Sequence, residues 1–478
     1  MTRNVTRKLH LNAFLMGVGH HEAAWRHPLS EPGRLTDIRH YQNLARIAER
    51  GRLDSVFLAD GLALWGNVKH NALGGLEPLT LLSALAAVTD HVGLIATVST
   101  TYNEPFHVAR KFASLDHISD GRAGWNIVTS AGEAEAHNFG IDRPVHRRRY
   151  ERASEFLDVV TKLWDSWEDD AVLGDRAAGV YADTGKIHQI EHTGDHFRVK
   201  GPLNTQRPPQ GRPLLVQAGS SEDGRDFAAR HAEAVFTAQQ TLEEGQEFYA
   251  DLKARASRYG RLPEEIVILP GIAPILGSTE REALQLEKEL EDLTIPAYGV
   301  AQLSNILGVD LSEHPLDEPL PEITGQTEGQ QSRLKLVTDL ARREHLTLRQ
   351  LIGRLAGGRG HRVVAGTPEQ VADQIQEWFA NGAADGFNIM PPILPSGLED
   401  FVDHVVPVLQ ARGLFRYEYE GRTLRDNYGL ARPVSRYAAK PAEGPSGDTA
   451  VSAGENAAET TENTENTKNA NDTVVVAS

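Results

Sequence analysis

The sequence predicts an α/β fold, a (β/α)8 TIM barrel, and two observations carry this prediction. Eight short apolar runs recur along the chain, and amphipathic helical patterns lie between most of them. Repeated alternation of strand and helix is typical of parallel sheets, and eight repeats are typical of a closed barrel. A doubly wound open sheet is the alternative, because a sequence does not show whether a sheet closes.

The predicted strands are continuous apolar runs, a pattern that suits strands buried on both faces of a parallel sheet. In order they are 8–15 (KLHLNAFL), 55–60 (SVFLAD), 92–99 (VGLIATVS), 123–130 (AGWNIVTS), 213–219 (PLLVQAG), 234–239 (AVFTAQ), 265–272 (EIVILPGI) and 385–390 (DGFNIM).

The predicted helices carry start and stop signals. The first begins near Thr36 and ends at Gly51 as its C-cap. Two others, in EPLTLLSALAAVTDHVG and EPFHVARKFASLDHISDG, open with Glu-Pro, and proline is favoured at the first helical position. Thr367 and Gln370 predict a capping box at the start of the helix in GTPEQVADQIQEWFANG.

Two long insertions and a tail interrupt or follow the alternation. Residues 166–212 are polar and turn-rich, and HTGDHFRVKGPL within them predicts a hairpin. Residues 294–365 hold a Pro- and Gly-rich loop and the helical piece SRLKLVTDLARREH; an insertion of this length is a candidate lid. The tail, 440–478, is acidic and of low complexity, which predicts disorder. We therefore expect one barrel domain over 1–439.

Composition excludes several function classes. The 478 residues include no cysteine, which removes disulfides, thiolate nucleophiles and Cys-ligated metal sites. The net charge is −17, and the segment after Lys440 supplies −6 of it, so the body is acidic and unsuited to nucleic acid. No apolar run is long enough for a membrane span, and the first residues lack a secretory signal, so we expect a cytoplasmic protein.

Polar residues gather where the first five predicted strands end, which is where the chemistry of a barrel collects. They are His20, His21, Asp60, Thr97, Ser99, Asn126, Ser130, Ser220 and Ser221, with Thr100, Thr101, Tyr102 and Asn103 behind the third strand. Plainer interpretations exist: Asp60 as a turn residue, the serine pair as an N-cap, and His10 as a buried barrel residue. Together at one end of a barrel, these residues predict a polar pocket.

One part of this pocket suits a phosphate. The turn Gly219-Ser220-Ser221 precedes a helix near Glu222, and backbone N–H groups at a helix N-terminus favour an anion. His146 and Tyr150 share one helix face and flank three arginines. No GxxxxGK[ST] is present and no GxGxxG follows a strand, so neither an ATP P-loop nor a Rossmann site is indicated.

Several long segments resemble the bacterial-luciferase-like flavin monooxygenases. They are LNAFLMGVGHHEAAWRHP, FLADG, STTYNEP, DHISDGRAGWNIVTS, AEAHNFGI, HRRRYERASEF and QAGSSEDGRDFAARHAEAVF. The resemblance runs from about 8 to about 434. Within this family, the chain is most similar to the branch that contains nitrilotriacetate monooxygenase component A, dibenzothiophene sulfone monooxygenase, pristinamycin synthase and long-chain alkane monooxygenase.

The resemblance implies a two-component monooxygenase that is a homodimer or homotetramer. A separate NAD(P)H:FMN reductase would supply reduced FMN, which reacts with O2 to a C4a-hydroperoxide and oxidises a small organic substrate. A xenobiotic or a sulfur- or nitrogen-containing compound would fit. The implied partners include neither nucleic acid nor a membrane, and no metal is implied.

The resemblance also implies residue roles. Asp60 and Thr97 or Ser99 would face the isoalloxazine, with Asn126 and Ser130 along its edge. His146, Tyr150, Ser220 and Ser221 would hold the phosphate end. His20 or His21 would hydrogen-bond the peroxide or the substrate above the flavin, because histidine exchanges a proton near neutral pH. Trp25 and His27 would pack within the loop.

Two other function classes stay open. One is a deazaflavin-dependent oxidoreductase of the same superfamily, or a flavin-binding protein without turnover. The other is a metal-dependent barrel hydrolase, which would want an H-x-H pair on the first strand, whereas His20 and His21 are adjacent. The substrate and the bond oxidised depend on the variable insertions, and the sequence does not identify either.

Overall fold

Eight parallel strands close into a ring in the computed structural model, which describes residues 7–64, 68–72, 75–142, 146–219, 221–323 and 331–438. In chain order the strands are β1 (His10–Leu15), β2 (Ser55–Leu58), β3 (Gly93–Ser99), β4 (Ala123–Val128), β5 (Val172–Asp175), β6 (Val180–Ala182), β7 (His192–Thr193), β8 (Arg198–Val199), β9 (Leu214–Ala218), β10 (Ala234–Thr237), β11 (Val267–Leu276), β12 (Arg362–Gly366) and β13 (Gly386–Ile389). Strands β1, β2, β3, β4, β9, β10, β11 and β13 pair in that order, and β13 pairs back to β1. The (β/α)8 barrel prediction is confirmed, and each predicted run overlaps one barrel strand.

Helices follow the barrel strands. In chain order they are α1 (Ile38–Arg50), α2 (Pro78–Ala86), α3 (Pro105–Ile118), α4 (Glu133–Asn138), α5 (His146–Trp164), α6 (Glu222–His231), α7 (Leu242–Arg258), α8 (Glu280–Asp292), α9 (Pro296–Leu307), α10 (Gln331–Arg343), α11 (Leu348–Gly358), α12 (Pro368–Ala380), α13 (Ser396–Asp400), α14 (Val406–Ala411) and α15 (Leu424–Asn427). The capping box predicted for α12 is present, because Thr367 and Gln370 bond each other's backbone. Within the described ranges, no helix is long and apolar enough to cross a bilayer.

The two insertions have defined structures of different kinds. The first holds two antiparallel pairs, β5 with β6 and β7 with β8, and the second pair lies where the sequence predicts a hairpin. The second insertion contributes α9, α10 and α11, which share an apolar core of their own.

A ninth parallel strand differs from the prediction. β11 runs on to Leu276, and its second half pairs with β12, at the end of what the sequence marks as the second insertion. The run RVVAG is too short for its periodicity to distinguish a strand from a helix. The predicted tail, 440–478, lies outside the described residues, and the single-domain division stays a prediction.

Aromatic rings fill the middle of the barrel. Phe14 packs edge to face against Phe57 and Phe236, with ring centroids 4.9 and 5.4 Å apart. Ile95, Leu269 and Met390 belong to the same cluster. Inward and outward side chains alternate along each strand, so these residues form a layer enclosed by the backbone.

The segment after α14, residues 412–438, covers the amino end of the barrel, and we call it the plug. Tyr428 is buried, stacks on His10 at 4.8 Å and donates a hydrogen bond to Asn12 Oδ1 at 2.8 Å. Asp54 is fully buried beside Arg416 and His10, and these neighbours lower its pKa even though burial opposes ionisation. The plug is therefore fixed by charged as well as apolar contacts.

A second buried ion pair fastens the same plug. Arg425 is 2% exposed, and its two terminal nitrogens each lie 2.7 Å from an oxygen of Glu233. Its Nε donates to the carbonyl of Arg212 at 3.0 Å. Removing one partner of such a pair leaves an uncompensated charge in a desolvated place.

We predict that Arg425→Leu lowers the free energy of unfolding by about 3–5 kcal/mol, because it leaves the Glu233 carboxylate without its counter-ion. Urea unfolding followed by tryptophan fluorescence measures this. The matched control is Arg422→Leu in the same segment, whose ion pair with Asp120 is exposed and contributes about 0–1 kcal/mol. Equal losses in the two variants would contradict the role assigned to the buried pair.

Candidate active site

Four of the predicted polar residues meet at the carboxyl ends of β3 and β4. Neighbouring outward residues such as Val98 and Trp125 pack between strands and helices, so Thr97, Ser99 and Asn126 point into the barrel. Asn126 Nδ2 donates to Thr97 Oγ1 at 2.8 Å, and Ser130 Oγ donates to Ser99 Oγ at 2.8 Å. The structure therefore brings these four side chains into two adjoining pairs.

The hydroxyls next to them have a structural role. Thr101 Oγ1 donates to the carbonyl of Thr129 at 2.7 Å, and Thr100 Oγ1 donates to the carbonyl of Val128 at 3.2 Å. These bonds tie the end of β3 to the end of β4. Ser130 has φ of +36°, a backbone conformation that costs energy for a residue with a side chain.

Buried amide oxygens at this end have unused hydrogen-bonding capacity. Asn126 Oδ1 and Gln217 Oε1 are enclosed and accept no hydrogen bond from any described residue. A buried acceptor left unpaired is destabilising, and native structures pair most such groups. The oxygen of Asn126, whose side chain points into the barrel, therefore fits a ligand that presents an N–H donor, whereas Gln217 shares the outward face of Ile127.

The loop after β1 is held by the loop after β13. His20 and His21 donate their backbone N–H to the carbonyls of Pro391 and Pro392, at 3.0 and 3.2 Å. Gly19 has φ of +141°, and a Cβ there would lie 2.1 Å from the carbonyl oxygen of Pro392. Only glycine fits this approach, and the turn fixes the backbone of both histidines.

His20 is fully buried and has one engaged ring nitrogen. Its Nε2 lies 2.9 Å from the carbonyl of Phe14; a carbonyl only accepts, so this nitrogen carries the hydrogen. Nδ1 is enclosed without a hydrogen bond among the described residues. Burial lowers the pKa of His20 to about 3, so its neutral ring presents an acceptor.

His21 has a different environment. Its Nδ1 accepts from the backbone N–H of Ala23 at 3.1 Å. Burial, with help from Arg359 and His27, lowers its pKa to about 4. Both rings are therefore neutral at pH 7, because desolvation disfavours the charged ring, and their place above the flavin stays a prediction.

Two further loop residues and Asp60 complete the mouth. Trp25 Nε1 donates to the carbonyl of His70 in the loop after β2 at 3.1 Å, so it joins two loops. His27 Nδ1 accepts from the backbone N–H of Leu29 within its own loop. Asp60 is exposed and accepts from the N–H of Gly61 at 2.9 Å, as a turn residue does. Desolvation in the concave mouth, with nearby carboxylates, raises its pKa.

The predicted phosphate end is only partly within the described residues. Ser221 is the N-cap of α6, and its Oγ accepts from the N–H of Gly224 at 3.2 Å. A Cβ on Gly224 would lie 3.0 Å from both Ser221 Oγ and the Tyr150 hydroxyl, so these two groups flank the start of α6. Ser220 and the side chain of His146 lie outside the described residues.

His361 is a residue that strand-end reasoning missed. Its ring lies parallel to that of Phe236, with centroids 4.8 Å apart. Phe236 contacts Phe14, and Phe14 contacts His20 edge to face at 4.5 Å. His361 therefore covers the aromatic layer of the barrel. It lies next to the start of β12, which the sequence does not reveal as a strand.

Comparisons with known proteins find relatives over most of the chain. A family model described as luciferase-like monooxygenase matches residues 16–385. The chain is 52% identical over 435 residues to N-acetyl-S-(2-succino)cysteine monooxygenase of Bacillus subtilis strain 168, covering 90% of this chain and 99% of the relative. It is 52% identical over 446 residues to nitrilotriacetate monooxygenase component A of Aminobacter aminovorans, covering 90% and 98%.

A solved structure extends the comparison to three dimensions. Riboflavin lyase, solved with modified FMN and riboflavin, matches with a TM-score of 0.81 at 35% identity, over 90% of this chain and 97% of that one.

Across the part of the chain that the structure describes, no group of three or more His, Cys, Asp or Glu residues could hold a metal ion.

We predict that His20 makes the protein less stable as the pH falls. The unfolded chain binds a proton near pH 6.5 and the folded chain does not, so stability drops by about 2 kcal/mol between pH 7 and pH 5. His20→Gln removes this contribution while keeping a donor for Phe14. Denaturant titrations at the two pH values measure it.

The control for this prediction is His404→Gln, because His404 is exposed in the π-helical turn Phe401–Val405. It should leave the pH dependence as it is in the unchanged protein. If the free energy of unfolding changes with pH by the same amount in His20→Gln and His404→Gln, the neutral state assigned to His20 is wrong.

Proposed function

This chain belongs to the luciferase-like monooxygenase family, and from that membership we propose that it is the oxygenating component of a two-component system. A separate NAD(P)H:FMN reductase supplies the reduced flavin. The name of one relative, nitrilotriacetate monooxygenase component A, supports a division into components. The absence of a GxGxxG turn after any strand of the sequence fits an enzyme that does not reduce its own flavin.

The phosphate of FMN binds at the start of α6 in this proposal. The Tyr150 hydroxyl and Ser221 flank that helix N-terminus, whose N–H groups and dipole favour an anion. Ser220 precedes Ser221 and His146 lies four residues before Tyr150 in the sequence, and we assign both to the phosphate end. The carboxyl end of a barrel is also where phosphate groups commonly bind.

The ring of the flavin lies over the paired side chains of β3 and β4. Isoalloxazine carries N–H donors and carbonyl acceptors along one edge, and the unused acceptor of Asn126 matches such a donor. Thr97, Ser99 and Ser130 supply hydroxyls next to it, and Asp60 stands at the mouth. The buried, unpaired oxygen of Asn126 is the observation that carries this assignment.

Bound reduced FMN supplies the two electrons that activate O2, so that one oxygen atom enters the substrate and the other leaves as water. The chain must keep bulk water away and hold the reactants in place. The aromatic layer of Phe14, Phe57 and Phe236 gives the mouth an apolar floor. His361 covers part of that floor from the side of β12.

His20 acts as a fixed hydrogen-bond acceptor. Its Nε2–H is engaged by Phe14, so only Nδ1 is available to a ligand, and the ring is neutral through the physiological pH range. It positions a group that carries a proton, such as a hydroxyl or a protonated peroxide oxygen, without becoming charged. His21 supports the same loop and leaves its Nε2 for a ligand.

An anaerobic titration followed by admission of O2 tests this function. We expect the protein to bind reduced FMN, and we expect the flavin to reoxidise through a distinct absorbing species that outlives the one in free solution. If reduced FMN neither binds nor changes its course of oxidation, the proposed function is wrong.

We predict that Tyr150→Phe weakens FMN binding by roughly tenfold, because a hydrogen bond to a charged group contributes about 1.5–3 kcal/mol. Riboflavin lacks the phosphate, so its binding should not change. The matched control is Tyr259→Phe, since the Tyr259 hydroxyl bonds Asp226 on the outer surface. Fluorescence quenching of each flavin measures the dissociation constants, and equal losses for both flavins would contradict the phosphate assignment.

A further inference from the structure

A cavity of about 250 Å³ lies where the second insertion meets the barrel. Its walls come from α10, α11, the start of β12 and Gln240 in the loop after β10. None of the residues assigned above to FMN lines it. The cavity is therefore a separate feature of the mouth, one that flavin binding does not explain.

The charge that faces this cavity is positive, in contrast to the acidic body. Arg343, Arg354 and Arg362 line it, and Glu344 is its only acidic lining residue within the described chain. Glu344 lies 3.3 Å from Arg343 and 3.6 Å from Arg354, so one carboxylate is shared between two guanidinium groups. Arg343 also contacts Glu244 on α7 at 3.3 Å.

Arg343 and Arg354, which share Glu344, remain accessible to solvent. Their side chains are 38% and 42% exposed, so a ligand can reach them without unfolding the insertion. Arg362 adds a guanidinium that stacks on Trp378, and its Nη1 is buried without a hydrogen bond among the described residues. Guanidinium groups match the two oxygens of a carboxylate in a planar, bidentate geometry.

The rest of the lining is mostly polar, and one wall of it leads to the site. Leu340, Leu355 and Val363 contribute the small apolar part. His361 also lines it, and its ring lies parallel to that of Phe236. Phe236 contacts Phe14, which in turn contacts His20. A molecule anchored at the arginines thus lies beside the aromatic floor over which the flavin is proposed to bind.

We propose that this cavity binds the carboxylate end of the substrate, with Arg343 and Arg354 as its counter-ions, so that the enzyme oxidises a small organic acid. This inference rests on the function proposed above. The volume is below the usual range for drug-sized ligands, which fits a short acid.

The experiment compares a diacid with its neutral ester. Thiodiglycolate, a thioether dicarboxylate, and dimethyl thiodiglycolate are titrated into the full chain by calorimetry, with FMN and riboflavin titrated in parallel. The variants are Arg354→Gln and Arg343→Gln. The matched control is Arg349→Gln, which lies on α11 like Arg354 and pairs with Asp317 at 2.7 Å outside the cavity.

We expect thiodiglycolate to bind, its ester to bind at least roughly tenfold more weakly, and each cavity variant to lose roughly tenfold in affinity. Arg349→Gln should bind the diacid as the unchanged protein does, and FMN affinity should stay the same in all variants. Circular dichroism checks that each variant is folded.

Three results would overturn the inference: the diacid fails to bind at millimolar concentration, the ester binds equally well, or the cavity variants bind the diacid normally. A loss of FMN but not riboflavin binding in the cavity variants would also overturn it, because the arginines would then serve the flavin phosphate. If FMN itself does not bind the unchanged protein, the proposed function fails separately.

Discussion

Closure of the strand ring is the constraint on which the rest of this structure depends. Because β10 bonds β11 and β13 bonds β1, no barrel strand has a free edge and every second side chain must point inward. Apolar rings occupy the middle of that enclosed space, and polar side chains on the same strands can lie only at its two ends. At the amino end they pair with one another and with the C-terminal plug. At the carboxyl end, Asn126 and His20 keep acceptor atoms that no described residue satisfies.

Backbone contacts hold the loops at the carboxyl end of the barrel in place. Glycine at position 19 lets one loop lie against the carbonyl of Pro392, and this fixes both histidines. The last helix of the second insertion reaches the same loop, since Glu22 donates to the carbonyl of Ala356 and Arg359 donates to the carbonyl of His20. The insertion and the site therefore share hydrogen bonds, and residues distant in sequence shape one mouth.

The barrel is predictable from the sequence because continuous apolar runs and capping signals are local features. Thr97, Ser99, Asn126 and Ser130 are predictable for the same reason, since each follows or ends a recognisable strand, and the fold brings them into contact. Strand β12 and His361 are not predictable, because a short apolar run inside a polar insertion has no distinctive period. The low pKa values of His20 and His21 are not predictable either, because they depend on burial by loops that lie hundreds of residues away.

The plug at the amino end has a consequence for synthesis on the ribosome. Arg416 and Asp54 are separated by 362 positions, and the ring of Tyr428 enters the barrel beside His10. A nascent chain emerges from its N-terminus at about 5–20 residues per second, so Asp54 is made many seconds before its partner exists. The interior is complete only when nearly all of the barrel has been translated. A premature stop before position 416 therefore removes both the counter-ion of Asp54 and the segment that covers this end of the barrel.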